Sequence, residues 1–308
     1  MFLLITATLL TGCSNRPATL QEREPAQPTP GIVFTSDRTE NWDIFLIQPD
    51  GSGLTQLTDF PGVDADPAWS PDGRMIAYRS RKDGSSDIFV MDPDGGNPIN
   101  LIRDPETSFD DEFAPHWHPD GETFSIYTDR FPRRGNCVSG YHQIALMYPQ
   151  SGEYVIDLFD TKAGEQYSSS WSPDGRFLVF NSACRLPGFQ LLMYDTQTRE
   201  TTQLTHEPYS HTHPSWSHDG SLLAFAKNVD GNNEIYIMDI ESRQQTQITH
   251  HPAADMMPSW SPDDSQITFV SDREGNKDIF IMNADGSEVV NLTNHPADDW
   301  HPSWSPVK

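Results

Sequence analysis

A phrase built around tryptophan occurs six times along this chain. It reads Trp69-Ser-Pro-Asp-Gly73, Trp117-His-Pro-Asp-Gly121, Trp171-Ser-Pro-Asp-Gly175, Trp216-Ser-His-Asp-Gly220, Trp260-Ser-Pro-Asp-Asp264 and a shortened Trp304-Ser-Pro306. The tryptophans are 48, 54, 45, 44 and 44 residues apart. A period of this length means copies of one supersecondary unit that bury their apolar faces only against each other. Six of the eight Trp residues occupy repeat positions, so packing accounts for most of them.

Each phrase is followed by a short apolar segment, such as Ile76-Ala-Tyr78, Leu223-Ala-Phe225 or Ile267-Thr-Phe269. A second segment comes next, as in Asp87-Ile-Phe-Val-Met91, Glu234-Ile-Tyr-Ile-Met238 and Asp278-Ile-Phe-Ile-Met282. A last short one closes the unit, as in Gln56-Leu-Thr58, Gln203-Leu-Thr205 and Gln247-Ile-Thr249. Asp-Gly and similar pairs separate them, which is turn chemistry. No stretch carries a helical period. Four short strands per unit, repeated radially, predict an all-β, six-bladed β-propeller of four-stranded antiparallel blades. The ends of the chain fit closure. Gly31-Ile-Val-Phe-Thr35 matches the second strand of a unit, and Pro302-Ser-Trp-Ser305 supplies the first. One blade is thus expected to be stitched from both termini, leaving no open sheet edge.

The Pro-x-Trp-Ser-Pro-Asp-Gly, Ser-Asp-Arg and Asp-Ile-Phe-Val-Met-Asp phrases resemble the TolB-type β-propeller repeat, over about residues 31–308. The resemblance implies the propeller half of such a protein, without the α/β domain that precedes it in TolB. Propellers of this kind also accompany enzymes, so the fold leaves function open. His211-Thr-His213-Pro214 resembles part of the metal site of oligogalacturonate lyases. Here Pro208 stands where that family has Gln, and six blades stand where it has seven.

Residues 1–10 are almost wholly apolar and lead into Leu10-Thr11-Gly12-Cys13. This resembles a bacterial lipoprotein signal: residues 1–12 are the expected signal peptide, and Cys13 the acylated new N-terminus. Residues 13–30 hold four Pro and several polar residues with no periodicity, and read as a flexible tether. The propeller domain is expected over 31–308. The location expected is the cell envelope: the periplasm-facing outer membrane in a diderm, the outer face of the cytoplasmic membrane in a monoderm. The 308 residues carry a formal net charge of −25. Such a surface repels nucleic acid, and no nucleic-acid partner is expected. The three Cys include no CxxC pair, which excludes a zinc ribbon. Cys137 and Cys184 fall in equivalent loops of adjacent units, and an exported protein can join them as a disulfide.

The segments entering each Trp are the informative ones, since in a propeller they converge around the central channel. Five residues before each Trp stand Asp64, Glu112, Gln166, His211, Asp255 and Asp299. Three before stand Asp66, Ala114, Ser168, His213, Met257 and His301. Phe113, Tyr167 and Trp300 lie between. Turn chemistry does not require these side chains. They predict a binding mouth made of Asp64, Asp66, Glu112, Phe113, Tyr167, His211, His213, Asp255, Asp299, Trp300 and His301. No cofactor is expected, although the carboxylate ring has the hard oxygen ligands that suit Ca²⁺. No nucleophile elbow, zincin motif or phosphate loop occurs. The function expected is a monomeric, non-catalytic scaffold that binds an envelope protein or peptide, with Trp42 and Trp300 as anchors. The alternative is a carbohydrate-binding module, or a metal-dependent carbohydrate-acting enzyme whose metal would rest on His211, His213 and His301.

Overall fold

The computed structural model describes residues 26–82, 84–102, 112–128, 143–148, 153–155, 166–183 and 188–307. Cys13, Cys137 and Cys184 lie outside these residues, as does the expected signal peptide. Every regular element among the described residues is a strand. Numbered along the chain, the strands fall into six four-stranded antiparallel sheets. Blade 1 joins β24 (Asp299–Trp304) to β1 (Ile32–Ser36), β2 (Asp43–Ile47) and β3 (Thr55–Gln56). Blade 2 holds β4 (Asp64–Trp69), β5 (Ile76–Ser80), β6 (Asp87–Met91) and β7 (Ile99–Asn100). Blade 3 holds β8 (Glu112–Trp117), β9 (Phe124–Thr128), β10 (Gln143–Tyr148) and β11 (Glu153–Val155). Blade 4 holds β12 (Gln166–Trp171), β13 (Phe177–Ser182), β14 (Gln190–Asp195) and β15 (Thr201–Gln203). Blade 5 holds β16 (Ser210–Trp216), β17 (Leu222–Val229), β18 (Asn232–Asp239) and β19 (Gln245–Gln247). Blade 6 holds β20 (Asp255–Trp260), β21 (Gln266–Ser271), β22 (Asp278–Asn283) and β23 (Val290–Asn291).

The expected closure is present: β24 pairs with β1 through Ile32↔Trp304 and Ser36↔Asp299. The Trp-bearing strands β4, β8, β12, β16, β20 and β24 each touch the next, and β24 returns to β4. They form the inner ring.

Packing follows the period-two alternation of strands. Ile76 and Tyr78 of β5 join Val33, Ile44 and Leu46 of blade 1. Ala77 between them faces Trp117, Phe124 and Ile126 of blade 3. Six such clusters fill the six seams. The repeat Trp wedges between inner strands. Trp117 Nε1 donates to Ala68 O at 3.2 Å, and Trp260 Nε1 to Ser215 O at 3.1 Å, each on the preceding blade.

The Ser-Pro-Asp-Gly turn explains its own sequence. Ser70 Oγ donates to Asp72 Oδ1 (2.7 Å) and accepts from Met75 N (2.9 Å). Gly73 closes the turn at φ 68°, in the left-handed region that Gly enters without steric cost. Asp264, in the Gly position of blade 6, is forced to φ 58°. The Thr of the closing Gln-Leu-Thr motif caps the start of the third strand. Ile44 N donates to Thr58 Oγ1, and Ile235 N to Thr249 Oγ1, both at 2.9 Å.

Removing one wedge tests this packing. Trp260 is 2 % exposed and sits in the blade 5–6 seam. Trp260→Ala is expected to cost about 3–5 kcal/mol in urea unfolding, the range for large-to-small changes in a core that cannot collapse. An effect below 1 kcal/mol would contradict the wedge assignment.

Candidate functional site

The inner strands are not regular. Each shifts register against its neighbour at one place, between Ala65 and Ala68, Phe113 and His116, Tyr167 and Ser169, Thr212 and Ser215, or Met256 and Ser259. In blade 1 the shift falls between Val33 and Thr35 of the partner strand. The residue at each bulge has positive φ: Asp66 57°, Ala114 42°, Ser168 38°, His213 53°, Met257 55°, His301 55°. None is Gly, so each costs of order 1 kcal/mol or more. Five are followed by Pro, which needs no ladder partner on an edge or at a bulge. The bulge re-aims the chain so that the residues three, two and one before each Trp face the axis.

These eighteen residues, three per blade, line one central cavity of about 470 Å³. Most are small or Pro, and the exceptions define the site. At the bulge they are Asp66, His213, Met257 and His301. Just before the Trp, where other blades have Ala or Ser, blade 3 has His116. Five further lining residues come from blades 3 to 5 alone: Tyr127, Tyr167, Asn181, Phe189 and Thr212. The rings of Tyr127 and Tyr167 meet edge to face at 5.7 Å, and Tyr167 and Phe189 at 5.8 Å. The channel wall thus carries an aromatic arc from blades 3 and 4, and one Asp and three His from blades 1, 2, 3 and 5.

Asp66 is the charged centre. Arg79 Nε donates to its Oδ2 at 2.9 Å, and Ala114 N at 3.4 Å. His301 Nδ1 lies 3.3 Å from Oδ1 without hydrogen-bond alignment. Burial would raise the Asp66 pKa, but His301 and Arg79 outweigh it and hold the carboxylate below its usual range. The Arg79 guanidinium in turn lies over the Phe113 ring at 5.3 Å. Burial pushes His116 and His213 down to about 4, and it lowers His301 as well. Near neutral pH the imidazoles of His116 and His213 are uncharged acceptors or donors. The Asn181 side chain is 2 % exposed, and its Oδ1 has no hydrogen-bond partner.

A sequence profile of the TolB beta propeller domain matches residues 27–185 and 167–308. The chain belongs to the TolB β-propeller family. The TolB homolog of Chlorobium luteolum is 30 % identical over 170 residues, which cover 55 % of this chain and 35 % of that protein. The uncharacterized peptidase YuxL of Bacillus subtilis is 24 % identical over 207 residues, 64 % of this chain and 27 % of that one. The chain therefore spans about a third of the length of the curated relatives it matches. The crystal structure of TolB from Acinetobacter baumannii superposes with a TM-score of 0.76 at 22 % identity, covering 90 % of this chain and 67 % of that one. That likeness speaks to the fold.

Within this TolB-type propeller the residues singled out in the sequence divide. Asp66, Tyr167, His213 and His301 meet in the central cavity. Asp64, Glu112, His211, Asp255 and Asp299 do not line it; they are the first or, for His211, the second residue of the inner strands and are buried. Phe113 and Trp300 also lie off the cavity, Phe113 stacked on Tyr127 at 5.0 Å and Trp300 beneath the Lys277 ammonium at 4.7 Å. His211 Nε2 is 2.9 Å from Glu207 Oε2, which also accepts from Lys227 through its other oxygen. The three-His set of His211, His213 and His301 is therefore not assembled. Among the described residues no group of three His, Cys, Asp or Glu is placed to hold a metal.

The buried carboxylates carry a lock that accounts for the Ser-Asp-Arg motif. Arg38 Nη2 donates to both Asp299 oxygens at 3.0 and 2.9 Å, and its Nε to Ser36 Oγ at 2.8 Å. Its guanidinium sits over Phe34 and Phe45. Arg273 repeats this with Asp255, Ser271, Phe269 and Phe280. In blade 2 the matching position is Lys82, whose ammonium turns instead onto Phe60, 3.5 Å from the ring centre. Asp64 is left with Oδ2 unpartnered. Burial pushes its pKa up to about 6, only partly opposed by hydrogen bonds from Ser80 and Thr58.

Sequence reading missed His116, Tyr127, Asn181 and Arg79. Two columns carried the signal. The residue before each Trp is Ala68, His116, Ser170, Ser215, Ser259 or Ser303. Ten residues after the Trp come Arg79, Tyr127, Asn181, Ala226 and Val270, with the large polar side chains confined to blades 2 to 4.

Two pH effects follow. Asp64→Asn is expected to stabilise the protein at pH 7.5, by no more than about 3 kcal/mol for a pKa raised from 3.8 to about 6. The gain shrinks as pH falls through 6, because the native carboxyl then protonates favourably. Denaturant titrations at pH 7.5 and 4.5 check both halves, and a destabilised variant at pH 7.5 contradicts the reading. His116 and His213 act in the opposite sense. Their native pKa values lie below the unfolded value, so the unfolded chain binds more protons between about pH 6.5 and 4, and stability is lost as pH is lowered through that window. Imidazole NMR titrations are expected to show both midpoints near 4; midpoints near 6.5 would refute their burial in the channel.

Proposed function

We propose that this chain is an exported, lipid-anchored, non-catalytic scaffold that binds an extended segment of another envelope protein in its central channel. The observation that carries the reading is the cavity itself. A ring of six closed blades needs only small residues at its axis, as most of the lining shows, yet blades 3 and 4 place an aromatic arc there, in one cavity with Asp66, His213 and His301. Large, rigid aromatic faces with a few unfilled polar atoms suit recognition. Family membership supports the same reading, since a relative in Francisella tularensis is named a Tol-Pal system protein.

Anchoring is assigned to Cys13 by its place after the apolar leader, with 13–30 as the tether and 31–308 as the propeller. Acylation would keep the binding face close to partners in the same membrane. Cys137 and Cys184 are assigned to one disulfide between loops of blades 3 and 4. Metabolic labelling with a clickable fatty acid, lost in Cys13→Ser, and non-reducing peptide mapping check these two assignments. Free thiols at both loop positions would overturn the second.

The binding reading is tested by purifying the anchored protein from gently solubilised envelopes beside a Ser168→Trp variant. Ser168 lines the cavity at a bulge, and Trp there fills the channel. A stoichiometric partner present with the natural protein and at least tenfold depleted with the folded variant is the expected result. Equal recovery would remove the channel from the interface.

A further inference from the structure

The cavity wall specifies the charge of its occupant. Among the described lining residues Asp66 is the single carboxylate. Arg79 and Ala114 N take its Oδ2 from behind the wall, and Arg79 does not line the cavity. Oδ1 has only His301 Nδ1 beside it, at 3.3 Å and misaligned. The same cavity wall carries groups that can accept hydrogen bonds. His213 Nδ1 is buried without a partner, and so is the Oδ1 of Asn181. His116 and His213 are uncharged near neutral pH because burial opposes their protonation, and burial lowers His301 as well, against the pull of Asp66. Tyr127 and Tyr167, whose rings attract cations, line the same cavity. The protein as a whole carries −25 and draws cations toward its surface. An anion would meet a carboxylate, neutral imidazoles and a repelling field. A guanidinium wants both carboxylate oxygens, and one is already taken. An ammonium is compact, with three donors and no acceptor, and it matches scattered single acceptors.

Resting on the reading of the channel as a peptide site, we propose that the group it holds is a primary ammonium: a lysine side chain of the partner segment, seated on Asp66 Oδ1 with His213, His301 and Asn181 as acceptors and the rings of Tyr127 and Tyr167 beside it. The site is a lysine reader formed by five blades. No single repeat contains it.

Calorimetry on the full chain in detergent tests this with end-capped pentapeptides, Gly-Gly-X-Gly-Gly, in which X is Lys, Arg, norleucine or Glu. The Lys peptide is expected to bind at least tenfold more tightly than the norleucine peptide and more tightly than the Arg peptide, with no binding of Glu. Asp66→Asn should abolish the preference for Lys over norleucine. Should that variant fold poorly, Tyr167→Leu is the second probe, with at least a threefold loss for Lys. The titratable groups on the wall are Asp66, His116, His213, His301, Tyr127 and Tyr167, with Arg79 behind it. Only the imidazoles gain protons between pH 7 and 4, so Lys affinity should be level from pH 8 to 6 and fall below about 5. Equal binding of Lys and norleucine, a preference for Glu or Arg, no binding of any peptide at millimolar concentration, or an unchanged Asp66→Asn profile would each overturn the proposal. The two readings fail separately. If Ser168→Trp loses its envelope partner while the peptides show no Lys preference, the channel reading stands and the ammonium falls. If Ser168→Trp keeps the partner, both fall.

Discussion

Closure of the inner ring is the constraint on which the rest of this molecule depends. A strand has two edges, and the inner strand of each blade pairs through only one of them. The other must face the axis, where six backbones converge. The chain meets that crowding with a bulge in every blade, a residue of positive φ, and Pro at the next position in five of the six. Pro has no N–H to leave unpaired there, and the bulge ends the ladder where it would otherwise run into its neighbours. The tryptophan two or three residues later then wedges the seam between adjacent blades. Backbone strain at the axis is offset by apolar burial in the seams.

That device also makes the site. In a regular strand the residues five and three before each Trp would share a face, because side chains alternate with period two. The bulge separates them. The earlier residue turns into the blade end, where Asp255 and Asp299 are gripped by Arg273 and Arg38 and His211 by Glu207. The later one turns into the channel. His211 and His213, two residues apart, therefore serve unrelated ends: one closes a buried polar lock and the other offers an imidazole to the cavity. A metal reading of that motif needs both on one surface, and the bulge removes one of them.

Repetition with local departures is how a six-fold frame acquires a one-sided site. Most axial positions are Ala, Ser or Pro, which any closed ring of this size needs. Asp66, His116, His213 and His301 come from blades 2, 3, 5 and 1, and the aromatic arc from blades 3 and 4. Each departure is tolerated because the axial cavity is wide enough to take a larger side chain without overpacking the seams. Asp64 shows the same freedom at a lock. Its blade has exchanged the clamping Arg for Lys82, and the carboxylate stays buried with its pKa raised.

Much of the fold was legible in the chain. The Trp-Ser-Pro-Asp-Gly period gave the blade number, the alternating apolar segments gave four strands per blade, and Gly31-Ile-Val-Phe-Thr35 with Pro302-Ser-Trp-Ser305 gave the stitched blade, because turns, alternation and wedge residues are local and act through neighbours in sequence. Half of the site was legible for the same reason: Asp66, Tyr167, His213 and His301 stand out against their repeat columns. Their assembly was not, since they lie up to 235 positions apart, and only ring closure brings Asp66 and His301 within 3.3 Å. Nor could local pattern tell Asp64 from Asp66, or His211 from His213. The sequence by itself determined the blades, their number and their closure; the tertiary structure decided which side chains share the channel, because the direction of each is set by a bulge whose need arises only when six inner strands meet around one axis.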